Sequence, residues 1–148
     1  MIRLVNVNKD NWQACIQLPT SEDHARFVAP NVYSIAEAQF YPDTVAACCI
    51  YAGETMVGFA MYGSDEDDAT LFAIDRLMIA EGHRGKGYGK ATLSAILEEA
   101  KRRGFSRIRL STNPENMKAI KLYESVGFRA TGEMDGDEAV YVYTQELG

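Results

Sequence analysis

Three glycines, Gly85, Gly87 and Gly89, sit between a strand-like stretch and the strongest helical pattern in the chain, and this run constrains the fold more than any other feature. Upstream, residues 69–80 read as a strand, with Leu71, Ala73, Asp75, Leu77 and Ile79 expected on one side. Downstream, residues 88–103 carry Leu93, Ile96, Leu97 and Ala100 at helical spacing. Lys101, Arg102 and Arg103 lie near the end of that helix, and Gly104 is placed to close it. Strand, glycine loop and helix in that order make an anion site. Glycine lets the backbone come close to a ligand. The first helical turn offers unpaired N–H groups and a partial positive charge. Phosphate suits both, and Arg84, Lys86 and Lys90 add cationic charge.

Three phosphate binders compete for this loop. A P-loop needs GxxxxGK followed by Ser or Thr, but Arg84 stands five residues before Gly89 and Ala91 follows Lys90. A dinucleotide fingerprint needs GxGxxG near the first strand, whereas the spacing here is GxGxG and late in the chain. The reading that remains is the diphosphate loop of a coenzyme A binder.

The rest of the chain supplies elements around that loop. Residues 1–7 alternate as a first strand. Asn8 or Asp10 is placed to cap a short helix that runs to Leu18 and ends at Pro19. Residues 20–30 show no regular pattern. Ser34 and Glu37 form a capping box, predicting a helix from there to about Phe40, stopped by Pro42. Residues 44–51 and 55–62 predict a hairpin, and residues 63–68 a solvated acidic loop. Residues 105–111 predict a strand, and Asn116 is placed to cap a helix to Val126, ended by Gly127. Residues 128–134 and 138–146 predict a second hairpin across Asp135 and Gly136. The order implies an α/β (α+β) single domain over residues 1–148. Its mixed sheet has about seven strands, flanked by about four helices.

Composition narrows the function classes. A 148-residue chain that is 47% hydrophobic and 24% charged can build one real core. A net charge of -6 argues against a nucleic-acid binder and suits a cationic substrate, or serves solubility alone. No apolar stretch is long enough to span a membrane, and with Arg3, Lys9 and Asp10 in place no signal-peptide core is expected. Cys15, Cys48 and Cys49 have neither disulfide nor metal spacing, so reduced packing thiols in a cytoplasmic protein are expected, with no metal.

The run from Arg84 to Gly89 matches the signature Q/R-x-x-G-x-G/A in full. Asn116, Ala119, Leu122, Tyr123, Gly127 and Phe128 match a second pattern, Asn-x-x-Ala-x-x-Leu-Tyr-x-x-x-Gly-Phe. Through both motifs the chain resembles the GNAT superfamily of N-acetyltransferases, most strongly over residues 75–128. The resemblance implies the GNAT fold and direct transfer of an acetyl group from acetyl-CoA to an amine. It implies that backbone N–H groups of Arg84, Gly85, Lys86, Gly87, Tyr88, Gly89 and Lys90 hold the diphosphate. The strand edge at Leu77, Met78 and Ile79 is expected beside the pantetheine arm, with an N–H near Met78 polarising the thioester. Asn116 is expected against the pantetheine, and Tyr123 as the acid for the leaving thiolate.

An ammonium must lose its proton before it attacks, so a base is needed. The resemblance puts Asp75 in that role; the plain alternative is an ion pair with Arg76. Glu37 is the second candidate, more suited to anchoring substrate. Residues 26–31, 34–38 and 74–79 resemble bacterial spermine/spermidine acetyltransferases of the Bacillus type, which implies a polyamine acceptor (spermidine, spermine or a diamine). Glu22, Asp23, Glu37 and residues 65–68 are available to its remote charges. Other small amines, a protein amine or a non-catalytic acyl-CoA sensor are the competing readings. His24 and His83 tempt by chemistry, but neither has metal or triad spacing, and His83 is expected to face solvent. Tyr141 and Tyr143 in the last hairpin serve either a homodimer or core packing.

Overall fold

A computed structural model describes residues 1–27 and 29–147, without the side chains of Asp23 and His24. The expectations on Asp23, His24 and Val28 therefore lie outside the described residues, as does Gly148. Alternation over the first residues makes β1 (Ile2–Asn6), and three short helices follow: α1 (Trp12–Ile16), α2 (Glu22–Ala25) and α3 (Asn31–Ala38). The first predicted hairpin is β2 (Val45–Ala52) and β3 (Thr55–Ser64), and β4 (Phe72–Ile79) continues the meander. Then come α4 (Tyr88–Arg102), β5 (Arg107–Thr112), α5 (Met117–Val126) and the hairpin of β6 (Arg129–Asp135) and β7 (Glu138–Thr144). The seven strands form one sheet in the order β1-β2-β3-β4-β5-β7-β6. Every pairing is antiparallel except β4 with β5.

The sheet has a core on each face. Under α4 and α5, Ile50, Phe72, Leu93, Ile96, Ile108 and Phe128 are among those packed with little or no exposure. Under α1 and α3 lie Cys15, Cys49, Phe59, Met61 and Met78. Cys48 and Cys49 divide between the two faces, as adjacent strand residues must, and all three thiols are free. In the last hairpin Tyr141 is buried and the Tyr143 ring packs 5.5 Å from that of Phe128, so both serve the core.

Several local expectations are corrected. Helix α3 begins at Asn31, three residues before the predicted capping box. Pro30 stands at its N-cap, its φ of -56° already suited to entering a helix, and its carbonyl accepts from the Ser34 N–H at 3.2 Å. Ser34 is thereby carried into the buried interior of the helix instead of capping it. A single helical turn, α2, occupies part of the stretch read as irregular. The acidic loop is organised rather than merely solvated. Asp65 accepts from the N–H groups of Asp67 and Asp68, and Arg109 of β5 donates to its carboxylate at 3.0 Å. Asn116 does cap α5, accepting from the Ala119 N–H at 3.4 Å.

The correction with the largest consequence is in β4. Opposite β3, Met61 pairs with Arg76 and Tyr62 with Ile74, so Asp75 is an extra residue without a partner. This β-bulge breaks strict alternation. Phe72 and Ile74 share the α4 face with Leu77 and Ile79, instead of Ala73 and Asp75 doing so.

Leu93 is fully buried in the stripe that seats α4 on the sheet. Leu93→Ala should lower the unfolding free energy by about 2–5 kcal/mol, seen as a fall in the urea midpoint with an unchanged m-value.

Candidate active site

The strands β4 and β5 are hydrogen-bonded only at their start, where Phe72 pairs with Ile108 and Ala73 with Arg109. Beyond the bulge at Asp75 they part. β5 meanwhile stays paired with β7 from Arg107 to Thr112. The wedge between the parted strands opens into a cavity of ≈ 1280 Å³, roomy enough for a ligand of coenzyme size and a second small molecule.

The glycine loop walls one end. Gly85 and Gly87 have φ of 76° and 83°, the left-handed region that other residues enter only with strain. That conformation turns the chain from β4 into α4 and leaves the backbone N–H groups of residues 84–90 without acceptors among the described residues. A Cβ on Gly89 would lie 3.1 Å from Leu122, so the glycine there lets α4 and α5 pack closely. Arg84 is anchored by its Nε, which donates to the Ile79 carbonyl at 3.1 Å, while its Nη2 is buried without a partner among the described residues. A buried guanidinium nitrogen beside a row of free N–H groups suits an anion, and these residues fit the diphosphate of coenzyme A.

The edge of β4 forms the floor. Ala80 donates to the Val57 carbonyl directly opposite at 2.8 Å. Met78, two residues earlier and opposite Phe59, is in the same phase, so its N–H also turns toward β3. The N–H groups of Leu77 and Ile79 turn to the cleft instead, on the side where the Ile79 carbonyl meets Arg84. Of the coenzyme-side residues expected from sequence, Met78 and Lys86 do not line the cavity and the others do. The Met78 side chain is in the opposite core, and Lys86 is exposed.

Tyr123 lines the cavity from α5, its ring 6.1 Å from that of Phe128, and its hydroxyl has no hydrogen-bond partner among the described residues. Burial, with a smaller contribution from the charge of Glu138, pushes its pKa up to about 12, so the phenol keeps its proton at neutral pH. Asp75 reaches solvent through the cleft, yet the surrounding walls strip enough water to raise its pKa above the ordinary aspartate value. Arg76 opposes that rise without neutralising Asp75. Its Nη1 donates to the Asp75 backbone carbonyl at 2.7 Å, and its Nη2 pairs with Glu37 at 3.6 Å. The ion pair weighed for Asp75 is thus made by Glu37, which does not line the cavity.

His83 is half-buried and lines the cavity instead of facing solvent. Sequence reading also missed Ser111 and Glu138, which meet here when the Ser111 hydroxyl donates to Glu138 Oε1 at 2.9 Å. Their 27-residue separation carries no local signal. Only the pairing of β5 with β7 brings them together.

A cleft that presents free amides to a diphosphate, next to a neutral phenol and a carboxylate of raised pKa, has the parts of an acyl-CoA-dependent transferase. Residues 11–128 match the acetyltransferase (GNAT) family. A spermine/spermidine N(1)-acetyltransferase of Bacillus subtilis is 33% identical over 140 residues, which is 90% of this chain and 91% of that protein. A spermidine N-acetyltransferase from Vibrio cholerae, solved with CoA and spermine, superposes with a TM-score of 0.76 at 17% identity, over 97% of this chain and 95% of that one. The aminoglycoside acetyltransferase AAC(6')-Ib, solved with coenzyme A, gives a TM-score of 0.82 at 17% identity, over 99% and 96% of the two chains. The chain belongs to the GNAT acetyltransferase family. It is an acetyl-CoA-dependent N-acetyltransferase.

A Cβ on Gly87 would meet nothing within 4 Å, so Gly87→Ala tests backbone conformation alone. Left-handed alanine costs about 1–2 kcal/mol. Calorimetry should show coenzyme A affinity falling about tenfold, with the fold retained.

Proposed function

We propose that this enzyme acetylates a primary amine of a polyamine such as spermidine, spermine or a diamine, by direct attack with both substrates bound. The observation that carries the chemistry is the placement of Asp75 and Tyr123 on opposite walls of one cleft, on β4 and α5. The acceptor is supported by likeness over nearly the whole chain to a spermine/spermidine acetyltransferase. It is also supported by carboxylates on the cavity wall that form no ion pair among the described residues, Asp75 and Glu138 among them.

In this reading the amides of residues 84–90 and the Arg84 guanidinium hold the diphosphate. Asn116 flanks the pantetheine, and the β4 edge holds the arm with the free N–H groups of Leu77 and Ile79. One of these N–H groups, rather than that of Met78, stabilises the carbonyl oxygen as it gains charge. Asp75 accepts the ammonium proton, directly or through one water, and its raised pKa brings it nearer to that task. Tyr123 gives its proton to the departing thiolate. Glu37 acts at one remove, by holding Arg76 away from the Asp75 carboxylate. Acetyl-CoA and three free thiols fit a cytoplasmic setting.

Two measurements test this. A thiol-release assay should show turnover with spermidine and spermine above that with simple monoamines; no turnover with any polyamine, in protein that binds coenzyme A, overturns the acceptor. In the pH profile of kcat/KM, the base works only when ionised. Activity should therefore fall as pH drops through a pKa above the ordinary aspartate value of 3.8. Asp75→Asn should erase that limb and Tyr123→Phe should lower kcat, each by about 10²–10⁴-fold, while coenzyme A affinity holds.

A further inference from the structure

Glu138 opens β7 at the mouth of the wedge, next to the end of β5. It is half-buried and lines the cavity together with Asp75 and Tyr123. The Ser111 hydroxyl fixes one carboxylate oxygen at 2.9 Å, and no cation pairs with Glu138 among the described residues. Its cross-strand neighbour in the hairpin is Asp135, another carboxylate on the same cavity wall. Like charges facing each other across a strand pair oppose folding. The arginines of this region offer no relief, because Arg76 is turned to Glu37 and Arg109 to Asp65. A partly desolvated carboxylate, oriented by a hydroxyl and without an ion-pair partner among the described residues, is complementary to a cation from outside.

We propose that Glu138 is a specificity-determining residue that receives an ammonium group of the acceptor other than the one being acetylated, with Ser111 holding the carboxylate in place. Asp75 on β4 and Glu138 on β7 would then grip a dication from the two sides of the wedge, one at the reacting nitrogen and one at a remote nitrogen. The inference rests on the polyamine reading and adds to it the residue that reads the second charge.

The test compares Glu138→Gln, Ser111→Ala and the exposed β6 control Glu133→Gln with the unaltered enzyme, using spermidine, a diamine and a monoamine of matched length. Coenzyme A affinity and thermal unfolding are measured alongside to show that the site is intact. Loss of a charge-assisted contact corresponds to about a 10- to 100-fold effect. Glu138→Gln should raise KM for spermidine and the diamine by that factor and leave KM for the monoamine unchanged. Ser111→Ala should do the same more weakly, and Glu133→Gln should change nothing. If the unaltered enzyme prefers polyamines and Glu138→Gln keeps that preference, this inference is overturned and the polyamine reading stands. If the unaltered enzyme shows no preference for polyamines, that reading falls first and takes this one with it. A drop in kcat with all three amines alike, at unchanged KM ratios, would also overturn the selective role.

Discussion

The ladder between β4 and β5 stops after the pair Ala73 and Arg109, and the active site exists because it stops there. A parallel pair that continued would fill the wedge with main-chain hydrogen bonds and leave no edge for a ligand. The interruption has a local cause. Asp75 is one residue too many for β3, so β4 kinks and its pleat shifts phase. The same residue that opens the cleft places its carboxylate there. β5 keeps its partner on the far side, β7, so the sheet stays intact around the gap.

Charge is distributed along the cleft by selective pairing. At the glycine-loop end, Arg84 donates from one nitrogen to the Ile79 carbonyl and keeps a buried nitrogen without a partner among the described residues, beside free amides at the start of α4. At the other end two arginines are engaged from outside: Glu37 of α3 meets Arg76, and Asp65 of the acidic loop meets Arg109. Partly exposed pairs of this kind contribute little stability. What they do is give both guanidinium groups carboxylate partners other than Asp75 and Glu138, so an anion fits one end of the cavity and a cation the other.

Titration follows from the same walls. Burial raises both Tyr123 and Asp75, with opposite chemical results. The phenol is held as an acid well above neutral pH, and the carboxylate becomes a stronger base than an exposed aspartate. One physical effect, acting on different side chains, leaves one group protonated and makes the other more basic.

The sequence alone determined whatever depends on neighbours within a few residues. The glycine spacing of the loop, the apolar stripe of α4, the Asn116 cap and the hairpin turns are short-range preferences, and each was legible. The proposed coenzyme site draws on consecutive amides, so it too could be proposed from sequence. Ser34 illustrates the boundary. Its capping signal was genuine chemistry, but Pro30 began the helix earlier and buried it. Tertiary structure decided the rest. The bulge at Asp75 is a mismatch of count between β3 and β4, and no residue within β4 announces it. The phase that turns Leu77 and Ile79 to the cleft, and Met78 away, follows from that pairing. Glu138 joins the site only because β7 lies beside β5. Strand pairing is a long-range contact, and its register is set by packing on both faces of the sheet at once.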